Sequence, residues 1–448
     1  MILNKIDEKS PNSITSGLDF FHYPTTNVSL SKSHYKEFLT LNPITDPPYH
    51  FKLPPTSSFL DFKHMYIKTT WRLTYFDSAN QRTVNVSNTN PVSVIQGLGA
   101  NFIKHMKVSI GGKEVFNANN LYAYKNYLDT ELNYSEEAKR THLAVTGYYP
   151  DGDDQNAAPA TPPATNSARK RMELFLNGNH AEFIAKLDAD IFNIDKYFLN
   201  NTEIEIEIHP HEGNWMVLWP GAAANANDSA TLNLITCKLY VLYHDVIDGL
   251  ALSIANRLAR PGETAKYAIR GSELKTVYIE AGRNFLDVNL FNGKIPRKLI
   301  IGMLARTDYD GTVSTSPFNF QNFDLRTIKV QWNGMENPNI AYQLSYDTNL
   351  YTRAYFDMMQ ACGFAFSPNS NGITMQKFKS GWNIYVFNLT ANLEDDKSCE
   401  LIRYGTTSLH ATFGTDIPAG GVTMIVYAET DQLMKIDNNR LITTDLNV

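Results

Sequence analysis

A unit of strand, glycine turn and helix occurs twice in this chain, and that duplication limits the folds open to it. In the first occurrence Met106, Val108 and Ile110 alternate with His105, Lys107 and Ser109. A period of two places one face on a core and the other toward water or a partner. Gly111-Gly112 supplies the two positive-φ positions of a tight hairpin, and Lys113 to Phe116 is the return arm. The period then changes: Leu121, Tyr124, Leu128 and Leu132 recur at helical spacing, opened by the N-cap candidates Asn119 and Asn120. In the second occurrence Ile328, Val330 and Trp332 alternate with Thr327, Lys329 and Gln331, and the turn is Asn333-Gly334. A helix follows, opened by Asp347-Thr348, with Leu350, Ala354, Met358 and Ala361 on one face and Gly363 as its stop. From Ile110 to Trp332 the offset is 222 residues. The chain reads as a divergent duplication, with a period too long for a solenoid array.

The flanking sequence fits the same reading. Ile67, Thr69, Trp71, Leu73 and Tyr75 take one face of a long strand that Phe59-Leu60-Asp61 precedes. In the second half Phe285-Leu286-Asp287 precedes Lys298 to Leu304 in the same way. Ile204, Ile206 and Ile208 alternate with Glu203, Glu205 and Glu207; Ser408 to Phe413 stands in the matching place. Thr423 to Ala428 mirrors Lys238 to Tyr243. Residues 1–16 are polar and turn-rich and read as an arm, and the aromatic segment Leu18 to Pro24 is expected to pack as irregular backbone. Asp151 to Ala168 and Pro220 to Asn227 are poor in large apolar residues and read as surface loops, with strands resuming near Met172 and Phe183. The organisation expected is an arm (1–16), a first sandwich (17–247), a connector (248–262) and a second sandwich (263–448).

Bulk properties narrow the class. Of 448 residues, 43% are hydrophobic and 12% aromatic, enough for sizeable cores, while 19% charged with abundant Thr and Tyr favours β architecture. A net charge of -6 argues against a chain that coats nucleic acid. The one short basic run, Arg169-Lys170-Arg171, reads as a solvated strand entrance. Cys237, Cys362 and Cys399 are far apart, so neither a disulfide framework nor a structural zinc site is expected, and a reducing compartment follows. The first residues lack an apolar h-region, Ile2 excludes the myristoylation pattern, and no run reaches the ~20 apolar residues of a membrane helix.

The search for chemistry returns little. There is no P-loop, G-x-S-x-G elbow, H-E-x-x-H or Rossmann fingerprint. His209-Pro210-His211-Glu212 is the best metal candidate, because alternate strand residues can converge on one ion; its spacing fails a cupin pattern and it reads as a plain strand end. Glu203, Glu205 and Glu207 read as a solvated row rather than paired acid–base carboxylates. Asp151, Asp153 and Asp154 fail the EF-hand pattern and read as an acidic tip. Trp215 and Trp219 could stack on a sugar or base, or pack on the protein itself. No catalytic, cofactor or metal residue is assigned, and a structural or binding protein is expected rather than an enzyme.

Several segments bear a resemblance. Leu18-Asp-Phe-Phe-His-Tyr-Pro-Thr-Thr26 resembles the opening motif of major capsid proteins from Polinton (Maverick) elements and adintovirus-like viruses. The similarity continues through Leu121 to Leu128 with Leu132-Asn-Tyr134, Asp190-Ile-Phe192 and Lys196 to Asn200. It reaches Pro317 to Phe320, Tyr351 to Tyr355, Val426 to Glu429 and Ile436 to Arg440, in order along nearly the whole chain. The departure is His22-Tyr23 with a single Pro24, where the family often has a small residue and paired prolines. The resemblance implies an all-β double jelly roll: two consecutive jelly-roll β-sandwiches with short helices and long inter-strand loops. It implies a virion structural protein whose homotrimeric, pseudo-hexameric capsomers tile an icosahedral shell. Its partners would be itself, neighbouring capsomers, and penton and minor capsid proteins, without sequence-specific nucleic acid or a transmembrane segment. The loops at 147–168 and 213–230 would be outward towers or inter-subunit clasps, and the arm would lie at the inner base. The competing reading is a carbohydrate- or receptor-binding double sandwich of the spike or lectin kind, which needs an exposed aromatic platform.

Overall fold

The computed structural model describes residues 5–159, 166–219, 228–391, 393 and 399–444. The first half carries β1 (Leu30–Leu39), β2 (Tyr49–Leu53), β3 (Phe59–Asp77), β4 (Arg82–Asn85), β5 (Ser93–Val94), β6 (Ile103–Ile110), β7 (Lys113–Asn117), β8 (Ala181–Lys186), β9 (Ile204–Pro210), β10 (Val217–Leu218) and β11 (Ser229–Val246). The second carries β12 (Ala265–Ile279), β13 (Phe285–Lys294), β14 (Lys298–Ala305), β15 (Leu325–Trp332), β16 (Met335–Asn337), β17 (Ile384–Asn388), β18 (Tyr404–Phe413), β19 (Val422–Ile436) and β20 (Ile442–Thr444). Between them lies a helix, Asp248–Leu258.

Each half closes one core between two antiparallel sheets. In the first, β1-β11-β3-β8 faces β2-β9-β6-β7; in the second, β12-β19-β14-β17 faces β13-β18-β15-β16. The two halves match strand for strand and in the same chain order, with β4, the β5–β10 ribbon and β20 as additions. Neighbouring strands in these sheets are mostly distant in sequence, which is the jelly-roll arrangement. Alternation decides which face is buried: Ile204, Ile206 and Ile208 are fully buried on β9 while the intervening glutamates meet solvent.

Both hairpins form as expected. Gly111 and Gly112 have φ of 56° and 77°, and Asn333 and Gly334 have 46° and 78°, the paired left-handed residues of a type I′ turn. The helices form too, Tyr122–Asn133 and Thr352–Ala361, with Leu121, Tyr124, Leu128 and Leu132 buried. Gly363, at φ 78°, ends the second, while Phe364 N–H donates to Met359 O and Gly363 N–H to Gln360 O in a Schellman closure.

Other expectations are corrected. Asn119 and Asn120 are not caps but left-handed turn residues (φ 47° and 63°) that deliver the chain to Leu121. Asp347-Thr348 does not open its helix either: a turn closed between Ser345 and Leu350 intervenes, and Leu350 is left exposed before the first helical residue. Phe59 to Asp61 begins β3 itself, whereas Phe285 to Asp287 opens β13, the counterpart of β2, so those segments are not equivalent. Met172 lies on a helix, Ser167–Glu173, whose N-cap Asn166 accepts from the Ala168 and Arg169 N–H groups. The run 169–171 is therefore helical, and Arg171 is buried rather than solvated. The segment Leu18 to Pro24 is irregular but does not pack: Phe20, Phe21 and Tyr23 lie open to solvent.

Candidate functional site

The most elaborate constellation lies where the two halves meet, and the Tyr122–Asn133 helix is its axis. A helix between two sandwiches must bury two faces, and nearly every residue from Tyr122 to Leu132 is buried or half-buried. Leu128 and Leu132 are fully buried in the core, and Tyr124 and Tyr127 present rings to the second half. Tyr127 lies parallel to Phe318, 4.1 Å between ring centres, and Tyr124 stacks on Tyr309 at 5.8 Å. Trp215 meets Phe318 edge-on and lies flat against His211, 3.5 Å between centres. Gln155 bridges the halves by donating to Tyr127 Oη (3.0 Å) and Gly381 O (2.8 Å).

Beside the rings sits a charge cluster. Lys125, buried on the same helix, reaches Asp188 at 2.7 Å, Asp129 at 3.0 Å and Asp190 at 3.7 Å. Burial opposes its charge, but Asp188, Tyr427 and Asp129 outweigh that and hold the ammonium protonated well above its usual range. Burial drives the Asp129 carboxyl well above the ordinary carboxylate range, against the pull of Lys125. Burial acts on Asp188 too, yet Lys125 and the Asp129 hydrogen bond prevail and keep it ionised below the usual range. The second half completes the cluster: Tyr427 Oη donates to Asp129 (3.2 Å), and Ser272 N–H donates to Asp190 (2.7 Å). From the next helix, Glu136–Arg140, Lys139 Nζ donates to Glu131 Oε2 (2.7 Å), Glu131 O (2.8 Å) and, across the junction, Asn371 O (2.8 Å).

The sequence candidates fall mostly inside this frame. His209 and His211 do not converge: His209 hydrogen-bonds Glu207 (2.7 Å), while His211 is engaged with Trp215. Among the described residues no group of three His, Cys, Asp or Glu is placed to hold a metal ion. Glu203 and Glu205 pair with Lys52 at 3.0 and 3.2 Å, and do not face one another as an acid–base couple. Asp151 is no exposed tip; it is buried near Arg171 (3.6 Å) and accepts from Ser167, and burial raises its pKa to about 6 against the pull of that guanidinium. Trp215 and Trp219 are buried, so the 213–219 part of the second loop is junction rather than tower. Residues 160–165 and 220–227, where the loop expectations also fall, lie outside the described residues. The roles of Lys125, Tyr127 and Gln155 were not anticipated; the tyrosine-rich Leu121 to Leu128 segment was the one available signal, two aromatics more than one core face needs.

Away from the junction, the β15–β16 hairpin, Tyr342, Arg353, Asp357 and Arg403 line an open groove of about 850 Å³. Tyr342 Oη donates to Asp357 (2.7 Å) and Arg353 lies 5.2 Å from the Tyr342 ring. These side chains satisfy one another, as a contact surface would, and no nucleophile with an adjacent base stands among them.

No family model matches the chain. An uncharacterized protein of Caenorhabditis elegans is 25% identical over 402 residues, 87% of this chain and 91% of that one. Among solved structures, a chain of the Sputnik virophage superposes with a TM-score of 0.67 at 12% identity, covering 100% of this chain and 95% of its own. The mavirus major capsid protein gives 0.58 at 12%, covering 100% and 97%. The Faustovirus major capsid protein gives 0.51 at 10%, covering 95% and 92%. The likeness runs end to end in both sandwiches, and the fold of this chain is the double jelly roll of those capsid structures.

Proposed function

We propose that this chain is a viral major capsid protein that assembles as a homotrimer of pseudo-hexagonal outline and tiles an icosahedral shell. The observation that carries the reading is the whole-length superposition on the Sputnik and mavirus chains, both halves included. The structure adds a physical reason. Two matched sandwiches fixed side by side by a buried junction give one rigid block with two similar outer faces, which suits repeated packing around an axis. The units would be an arm (1–16), two jelly rolls (17–247 and 263–448) and the connector 248–262, with the Asp248–Leu258 helix in that connector. The role is structural rather than enzymatic, its place is the virion, and synthesis as a soluble intracellular chain precedes assembly. Penton and minor capsid proteins are its further partners. A lectin-like role loses its main support, because both tryptophans that could have formed a sugar platform are buried.

Size-exclusion chromatography with light scattering, and negative-stain images of the peak, test this. A species of three times the 50.6 kDa chain mass with a six-lobed outline, or closed shells, is the expected result. A chain that stays monomeric across salt and pH would overturn the proposal, and glycan-dependent thermal shifts would then favour the binding-module alternative.

A further inference from the structure

Lys139, Glu131 and Asn371 meet out of solvent between the two halves, and together they carry an amine, a carboxyl and a carboxamide. The Lys139 and Glu131 side chains are 3% and 4% exposed, and Asn371 is fully buried. Lys139 Nζ lies 2.7 Å from Glu131 Oε2 and 2.8 Å from Asn371 O, so the amine already touches the residue that bears the carboxamide. Burial lowers the Lys139 pKa against the opposing pull of Glu131, which brings the amine nearer to its neutral, nucleophilic form. Glu131 is fixed through its other oxygen, Tyr148 Oη donating to Oε1 (2.7 Å). The Asn371 carboxamide is oriented as well: its Oδ1 accepts from the Ile373 N–H (3.1 Å). The loop that carries it is anchored to the first half, where Glu136 N–H donates to Ser370 O (2.8 Å). Its Nδ2, by contrast, is buried without a hydrogen-bond partner among the described residues. A buried NH2 group left unpaired is costly and rare in native proteins, and that cost ends if the nitrogen leaves.

We propose that Lys139 and Asn371 join in an intramolecular isopeptide bond that ties the first half covalently to the second. Glu131 takes one proton from the Lys139 ammonium, and the freed Nζ lone pair attacks Asn371 Cγ. The new C–N bond forms as the carbonyl π pair moves onto Oδ1, where the Ile373 N–H stabilises the negative charge. Glu131 then delivers its proton to Nδ2 and carries a second one across from Nζ. The Cγ–Nδ2 bond breaks with its electron pair on nitrogen, the carbonyl re-forms and ammonium departs. Two protons leave Nζ and both reach the departing nitrogen, so the step balances with no oxidant or outside reactant. Exclusion of water from the three side chains keeps the reaction from ending as hydrolysis of Asn371. The bond joins residues 232 apart in sequence, and closing so long a loop restricts the unfolded chain. It is internal to one chain and does not depend on how copies assemble.

Intact-mass spectrometry of the full-length chain, followed by tryptic peptide mapping, tests this. The expected mass is that of the sequence less one ammonia. Trypsin should fail to cut after Lys139, and tandem spectra should show a branched peptide carrying the Lys139 and Asn371 segments. Lys139→Arg and Glu131→Gln, each checked for its fold by circular dichroism, should return the full sequence mass and no branched peptide. An unsubstituted chain at its full sequence mass, cut normally after Lys139, would overturn the proposal. So would loss of ammonia without a branched peptide, which is ring closure at Asn371-Gly372 rather than a crosslink. A folded Glu131→Gln chain that still crosslinks would overturn the proton transfer assigned to Glu131.

Discussion

His211 shows how one side chain is committed by the junction. Its ring is stacked on Trp215 and its Nε2 is buried without a hydrogen-bond partner among the described residues. Burial, with the nearby Lys104 charge, lowers its pKa from 6.5 to about 3. An unfolded histidine takes up a proton below about pH 6.5, whereas the folded one resists until about pH 3, so in that window the unfolded state binds more protons. The sign follows: the stabilisation is complete above the unfolded pKa and is lost as pH falls. Each unit is worth about 1.4 kcal/mol, and because the ring keeps part of its surface the loss should amount to a few kcal/mol at most. Urea unfolding at about pH 7 and about pH 4 should therefore show a fall in midpoint that His211→Phe, which keeps the ring stack, makes shallower. An unchanged slope in that variant would remove His211 from the account. The histidine was visible in the sequence, but as a metal candidate, because nothing local says that Trp215 will lie on its face. Lys125 was harder still. It reads as an ordinary polar position on a helix, and the residues that bury and neutralise it, Asp188, Asp190 and Tyr427, come from distant segments.

At the level of elements, what was legible was local. Gly111-Gly112, Asn333-Gly334 and the Ile/Glu alternation of β9 carry their conformations in adjacent residues, and all three formed as read. What was missed depends on contacts made far along the chain: the helical run that buries Arg171 needs Val94 O and Gln96 Oε1 as acceptors, and the composition around it gave no hint of either. Gly302 belongs to the second kind. In the middle of β14 it looks like a weak point in an aliphatic strand, yet a Cβ there would stand 2.4 Å from the Phe320 ring. The missing side chain makes room for Phe320, which lies 6.2 Å from the Tyr127 ring. Gly302→Ala should accordingly destabilise by about 1–3 kcal/mol through overpacking. Gly302→Ala with Phe320→Leu should recover part of that loss in the same thermal-unfolding assay. If the single variant is neutral, the strand has room that these contacts deny.

For the whole molecule, duplication was readable because two hydrophobic patterns repeat in order, whereas the junction was not, since it is made of residues that each half could have used for its own core. That difference has a thermodynamic consequence. Two sandwiches of this size could unfold separately; the rings and buried charges between them should instead make the chain unfold as one unit. The Tyr127–Phe318 pair is the contact on which this can be measured, being parallel and close across the boundary. Truncating either ring to Ala should cost about 3–5 kcal/mol, and a double-mutant cycle should return a coupling of about 0.5–1.5 kcal/mol for the stack itself. More tellingly, calorimetry of the original chain should give one transition whose calorimetric and van't Hoff enthalpies agree. Tyr127→Ala with Phe318→Ala should split it, as the half with the weaker core is released first. If the original chain already unfolds in two steps, the junction is a contact between independent domains. The rigid two-lobed block that the proposed capsomer calls for would then have to be held by the neighbouring copies rather than by the chain itself.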